Sequence, residues 1–93
     1  MLVSLPTPDA VELVGDLPGD VDVLVWDGHG GRPGGAKRIE FFVGRYDAPP
    51  PAAGTLAELP GLRVIQLLSA GVEPWLQVVP DGVRLHSGRG IHG

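Results

Sequence analysis

The chain has no cysteine. That excludes disulfides and thiolate metal sites, and it suits a reducing compartment. Aromatic residues make up only 5%, so a core must be assembled from Val, Leu, Ile and Ala. Basic charge is scarce: 7 Lys and Arg against 11 Asp and Glu leave a net charge of −4. No basic patch marks a nucleic-acid or anionic-membrane footprint. No run approaches ~18 apolar residues, and the start lacks a basic segment followed by an apolar one. A soluble, cytoplasmic protein is expected, with no nucleic-acid partner and no membrane partner.

What is present points to one small α/β domain. Ninety-three residues with 43% hydrophobic content are enough for a modest core, burying roughly 60–65% of the unfolded surface. Glycine (15) and proline (10) are abundant, and they fall mostly between the apolar runs, where they end elements.

Taken in order, Met1 to Leu5 is a first strand, ended by Pro6 and Pro8. Asp9 is a candidate N-cap with Glu12 three residues on. Ala10, Val11, Leu13, Val14 and Leu17 give a helix of about two turns an apolar stripe. Pro18-Gly19 stops it. Val21 to Trp26 is a second strand, and this βαβ unit should cross over right-handedly. Asp27 to Gly35 is a loop, since five glycines and a proline cannot hold an element. Ile39 to Val43 is a third strand. Ala52 to Leu59 is a helix closed by Pro60-Gly61. Arg63 to Leu68 is the fourth strand, Val72 to Val79 a helix and Val83 to His86 the fifth strand. Strands alternating with helices predict a mostly parallel sheet. The expected fold is flavodoxin-like, with strand order 2-1-3-4-5, flanking helices and no further helix after the fifth strand.

The stretch Leu62 to Trp75, LRVIQLLSAGVEPW, combines the strongest strand with the best candidate site. Its aliphatic run reads as a strand buried on both faces. Ser69-Ala70-Gly71-Val72 then turns from strand to helix. Gly71 allows close backbone approach. Amide N–H groups at such a carboxyl-end turn suit an anion.

Other constellations fall away. The loop Gly28 to Gly35 follows a strand, but Pro33 stands where a third glycine of a dinucleotide loop would fall, and no Walker lysine follows. It reads as a flexible surface loop. His29, His86 and His92 have no metal-ligand spacing. No pair of carboxylates is forced together, and Ser4, Ser69 and Ser87 lie in no nucleophile motif. The end of the first strand, Ser4-Leu5-Pro6, lacks the acidic residues of a phosphoacceptor site. With Thr7 and Pro8 it is too proline-rich for a flavin-phosphate loop.

The segment LPGLRVIQLLSAGVEPWL followed by VVPDGVRLHSGRGIHG resembles the N-terminal part of D-isomer-specific 2-hydroxyacid dehydrogenases. In that family a leucine-proline helix end leads to a strand of the type LKVIQTLSAGVD, then a helix, a short strand and an Asn-Ala-x-Gly turn. The match covers about residues 56 to 92, and residues 1 to 55 agree in element order. Glu73 stands for the usual aspartate, and Ser87 and Gly88 for Asn-Ala.

The resemblance implies that residues 1–93 are part of a substrate-binding domain, with the Rossmann NAD-binding domain absent. It implies that the amides of Ala70 and Gly71, flanked by Ser69 and Val72, hold the carboxylate of a small 2-hydroxy or 2-oxo acid. The family uses NAD or NADP; none is expected to bind this chain alone. The family's catalytic Arg, Glu and His lie further along than residue 93, so no catalytic residue is assigned and the chain alone should be inactive. An exposed apolar patch, a homo-oligomer, or a separate Rossmann-domain chain completing the enzyme are then expected. The alternative is a non-catalytic small α/β binding or interaction module.

Overall fold

The computed structural model describes residues 1–14, 19–45, 49–67 and 73–86. Among them, five strands run in the order β1 Leu2–Leu5, β2 Asp22–Val25, β3 Ile39–Gly44, β4 Val64–Leu67 and β5 Arg84–His86. Three short helices alternate with them: α1 Pro8–Val14, α2 Ala53–Ala57 and α3 Glu73–Leu76. A single 3₁₀ turn, Ala36–Arg38, leads into β3.

The strands form one parallel sheet of order β2-β1-β3-β4-β5. This is the expected flavodoxin-like topology. The chain first moves from β1 outward to β2, then returns across β1 to β3 and continues the other way. Right-handed crossovers in opposite directions put their connections on opposite faces. So α1 lies on one face, and α2, α3 and the β2–β3 connection lie on the other.

The connection face carries the main core. Trp26, Ala36, Ile39, Phe42, Leu56, Leu59, Ile65, Leu67 and Trp75 pack there. Phe42 sits between the two tryptophans, edge-on to Trp26 at 6.0 Å and tilted to Trp75 at 6.3 Å between ring centroids. The core is therefore not purely aliphatic as expected: few as the aromatics are, two tryptophans and Phe42 supply bulk at its centre. Ser4 is fully buried on this side, and its hydroxyl donates to the Trp26 carbonyl at 2.8 Å. That bond satisfies a buried hydroxyl and ties the end of β2 to β1.

The α1 face is smaller and changes character across the sheet. The register places Val23, Val3, Phe41, Val64 and Arg84 in one row, and Val25, Leu5, Val43, Gln66 and His86 in the next. Leu5, Ala10 and Val43 are buried on this side, with Val3, Val11, Val23 and Phe41 packed against them. α1 therefore covers the β2–β1 half. The β4–β5 half carries half-buried Val64 and Gln66 and exposed Arg84 and His86.

Two expectations need correction. β4 is not buried on both faces: Ile65 and Leu67 are buried, whereas Val64 and Gln66 are half-exposed. An apolar run does not reveal which of its sides the described helices cover. The N-cap of α1 is Thr7, not Asp9: its Oγ1 accepts from the Ala10 amide at 3.3 Å. Pro8 then takes the first helical position, where its missing N–H costs nothing. Asp9 lies one residue inside, at the positive end of the helix.

Candidate functional site

In a sheet of this order the strand sequence reverses between β1 and β3, and ligand crevices form beyond the carboxyl ends there. The ends of β2 and β3 flank that of β1. Asp27 follows β2 and Arg45 follows β3. Their side chains meet at 3.4 Å, so the pair spans the end of β1. The other Asp27 oxygen accepts from the His29 amide at 2.9 Å, closing a tight turn. The His29 ring Nε2 lies 2.8 Å from the Pro49 carbonyl, which requires that nitrogen to carry the proton. The Trp26 indole N–H donates to the His29 carbonyl at 3.2 Å.

These contacts anchor the glycine-rich loop that the sequence suggests is free. Gly28 has φ +88° and packs so closely on Pro51 that a Cβ has no room. Arg32 reaches Glu58 at 2.6 Å. Under the loop lies an open cavity of about 590 Å³, lined by Trp26, Arg32, Lys37 and Thr55 among the glycines. Its described lining has no carboxylate–imidazole pair that could move a proton. Among the described residues no group of three or more His, Asp and Glu side chains could hold a metal.

Ser69, Ala70, Gly71 and Val72 lie outside the described residues, as does His92. Described residues frame 68–72 on both sides. Before them, Leu67 is buried at the end of β4, between β3 and β5. After them, α3 presents Trp75, buried over Gly44 of β3. A Cβ on Gly44 would stand 2.8 Å from two Trp75 ring atoms and 2.9 Å from Leu67. The absence of a side chain at Gly44 is what lets α3 dock next to the end of β4. His86 stands exposed on β5, and among the described residues it has no partner that would make it a base.

Sequence reasoning missed the Asp27–Arg45 pair and the role of Gly44. Each charged residue directly follows an apolar run, which was a usable signal. Their meeting across β1 depends on the strand order. The glycine spacing Gly88-x-Gly90-x-x-Gly93 also follows a strand; it lies outside the described residues, and such spacing alone is weakly specific. Among the described residues no helix is long and apolar enough to cross a membrane. Comparisons with protein-family models, curated proteins and solved structures find no match.

Proposed function

We propose that the chain is the N-terminal part of the substrate domain of a D-isomer-specific 2-hydroxyacid dehydrogenase acting in the cytoplasm. Its role is to bind the carboxylate of a small 2-hydroxy or 2-oxo acid through the Ala70 and Gly71 amides. Ser69 and Val72 flank those amides. NAD or NADP would be bound by a separate Rossmann domain, in the same chain or in a complementing one. The observation that carries this reading is the frame around residues 68–72. A central parallel strand leads in, and a short helix leads out, fixed by Trp75 on Gly44. Turns of that kind present amides at a carboxyl strand end, where anions bind. The strand order agrees with the fold the resemblance implies.

Amide resonances of the 93-residue protein, followed during titration with glyoxylate, test the reading. The Ala70 and Gly71 amides should shift in the millimolar range. Shifts confined to the glycine-rich loop, or no shift at all, would sink it. NADH oxidation with glyoxylate, pyruvate or hydroxypyruvate should be absent, because hydride transfer needs a bound nicotinamide. Turnover by the isolated chain would refute that part.

A further inference from the structure

The connection between β2 and β3 concentrates positive charge in an acidic chain. Arg32, Lys37 and Arg38 stand there, three of the 7 Lys and Arg residues, and no Asp or Glu falls between residues 28 and 39. Arg32 and Lys37 both line the open cavity of about 590 Å³ under the glycine-rich loop, and α2 adds Thr55. No acidic side chain is part of that lining. Every lining residue belongs to the stretch 26–37 or to α2, and all of them are described. Cavities of roughly 300–1,000 Å³ hold small organic ligands.

The wall has more glycine than folding requires. Gly30 and Gly35 have φ of +74° and +88°, which glycine adopts without strain. Gly31 and Gly34 have no positive φ, and a Cβ on either would meet nothing within 4 Å. Neither backbone conformation nor packing calls for glycine at these two positions. Their effect is to leave bare backbone along the cavity. Among the described residues, the amides of Gly30, Gly31, Gly34 and Gly35 donate to no protein acceptor. The loop that carries them is tied down at both ends. The Trp26 indole N–H donates to the His29 carbonyl at 3.2 Å, and the Ala36 amide donates to the Pro33 carbonyl at 3.2 Å.

We propose that this cavity binds the phosphate group of a small molecule. The Lys37 ammonium and the Arg32 guanidinium supply the counter-charge, and the Thr55 hydroxyl and the glycine amides supply further donors. An ionised phosphate offers strong acceptors, so a wall of cations and donors without a carboxylate is complementary to it. Lys37 has no ion-pair partner among the described residues. Arg32 pairs with Glu58 at 2.6 Å, but Glu58 is exposed and lies outside the lining. A guanidinium has five donors, so this one contact leaves others for an anion. No dinucleotide motif is needed, because side-chain cations, not a helix N-terminus, supply the charge. The site shares no residue with the proposed carboxylate turn at Ala70 and Gly71, and neither reading depends on the other.

Amide resonances of the 93-residue protein, followed during titration with inorganic phosphate at an ionic strength held constant with sodium chloride, test the site. The amides of Gly30, Gly31, Gly34 and Gly35 should shift and saturate. A second arm with glycerol 3-phosphate distinguishes free phosphate from a phosphate ester, the tighter of the two identifying the source. Lys37→Gln should weaken binding roughly tenfold through loss of a charge-assisted hydrogen bond. Lys37→Arg keeps the charge and should bind more tightly than Lys37→Gln. Lys37 is exposed, so neither variant should lower Tm, and lost binding then reports on the ligand site and not on folding. Arg63→Gln, outside the cavity, should bind as the wild type does. Loop shifts that sodium chloride reproduces, no saturation in either arm, Lys37→Gln binding as tightly as wild type, or an equal loss in Arg63→Gln would each overturn the proposal.

Discussion

Replacing Gly44 by alanine should destabilise the protein by about 2 kcal/mol through crowding alone. Gly44 does not have a positive φ, so its backbone tolerates a side chain. The obstacle is space. The new methyl would stand 2.8 Å from Cη2 and Cζ2 of Trp75 and 2.9 Å from Cδ2 of Leu67. Contacts under 3.0 Å must relax, and both neighbours are buried, Trp75 at 5% and Leu67 at 2% exposed. Inserting a methyl into a packed core costs typically about 1–3 kcal/mol. The lower end applies if α3, a single turn, slides outward with Trp75. A 93-residue domain loses roughly 4–8 °C in Tm per kcal/mol, so a fall of about 8–16 °C is expected. Urea unfolding followed by tryptophan fluorescence gives the free energy, and Trp75 itself reports on the site. The matched control is Gly54→Ala. Gly54 lies inside α2 with nothing within 4 Å of an added Cβ. There alanine should stabilise by about 0.5–1 kcal/mol through helix propensity. If Gly44→Ala changed stability by less than about 0.5 kcal/mol, as a surface substitution does, the close packing of Trp75 on β3 would be refuted.

Two further substitutions test the anchoring of the loops. Ser4→Ala removes a buried hydrogen bond to the Trp26 carbonyl and should cost about 1–2 kcal/mol in chemical denaturation. Ser4→Thr, which keeps the hydroxyl but adds a methyl beside Phe42, should be no better, since space and not only the bond is limiting. Gly28→Ala should be worse than Gly44→Ala in a thermal melt. It adds the strain of a positive φ to a clash with Pro51. An unchanged Tm for Gly28→Ala would show the loop to be detached from Pro51.

Much of the architecture was legible from local patterning. Most strands appeared as short apolar runs, and most structured boundaries fall within a residue or two of the expected ones. The alternation of elements and the handedness of crossovers were enough for the strand order, because few topologies satisfy both. The cap of α1 was misplaced by two residues because Asp and Thr are both good caps. Only the helix start chose between them, and Pro8 fits at its first position.

The site was less legible for a physical reason. In the sequence Ser69, Ala70 and Gly71 stand as small residues between a predicted strand and a predicted helix, and the ligand class expected there comes from resemblance to one family. Asp27 and Arg45 are 18 residues apart; nothing local predicts that they meet over the end of β1. The unequal faces of the sheet were equally hidden. Val64 and Ile65 are both β-branched aliphatic residues, yet one is half-exposed and the other wholly buried.

The sequence by itself determined where the described strands and helices lie, because these follow from residue type and spacing along the chain. It also excluded disulfide and cysteine-metal chemistry outright. Only the tertiary structure decided which face each strand presents to the described helices and which glycine makes room for Trp75. Those outcomes depend on where helices cross the sheet, and a crossover brings together residues that share no local pattern.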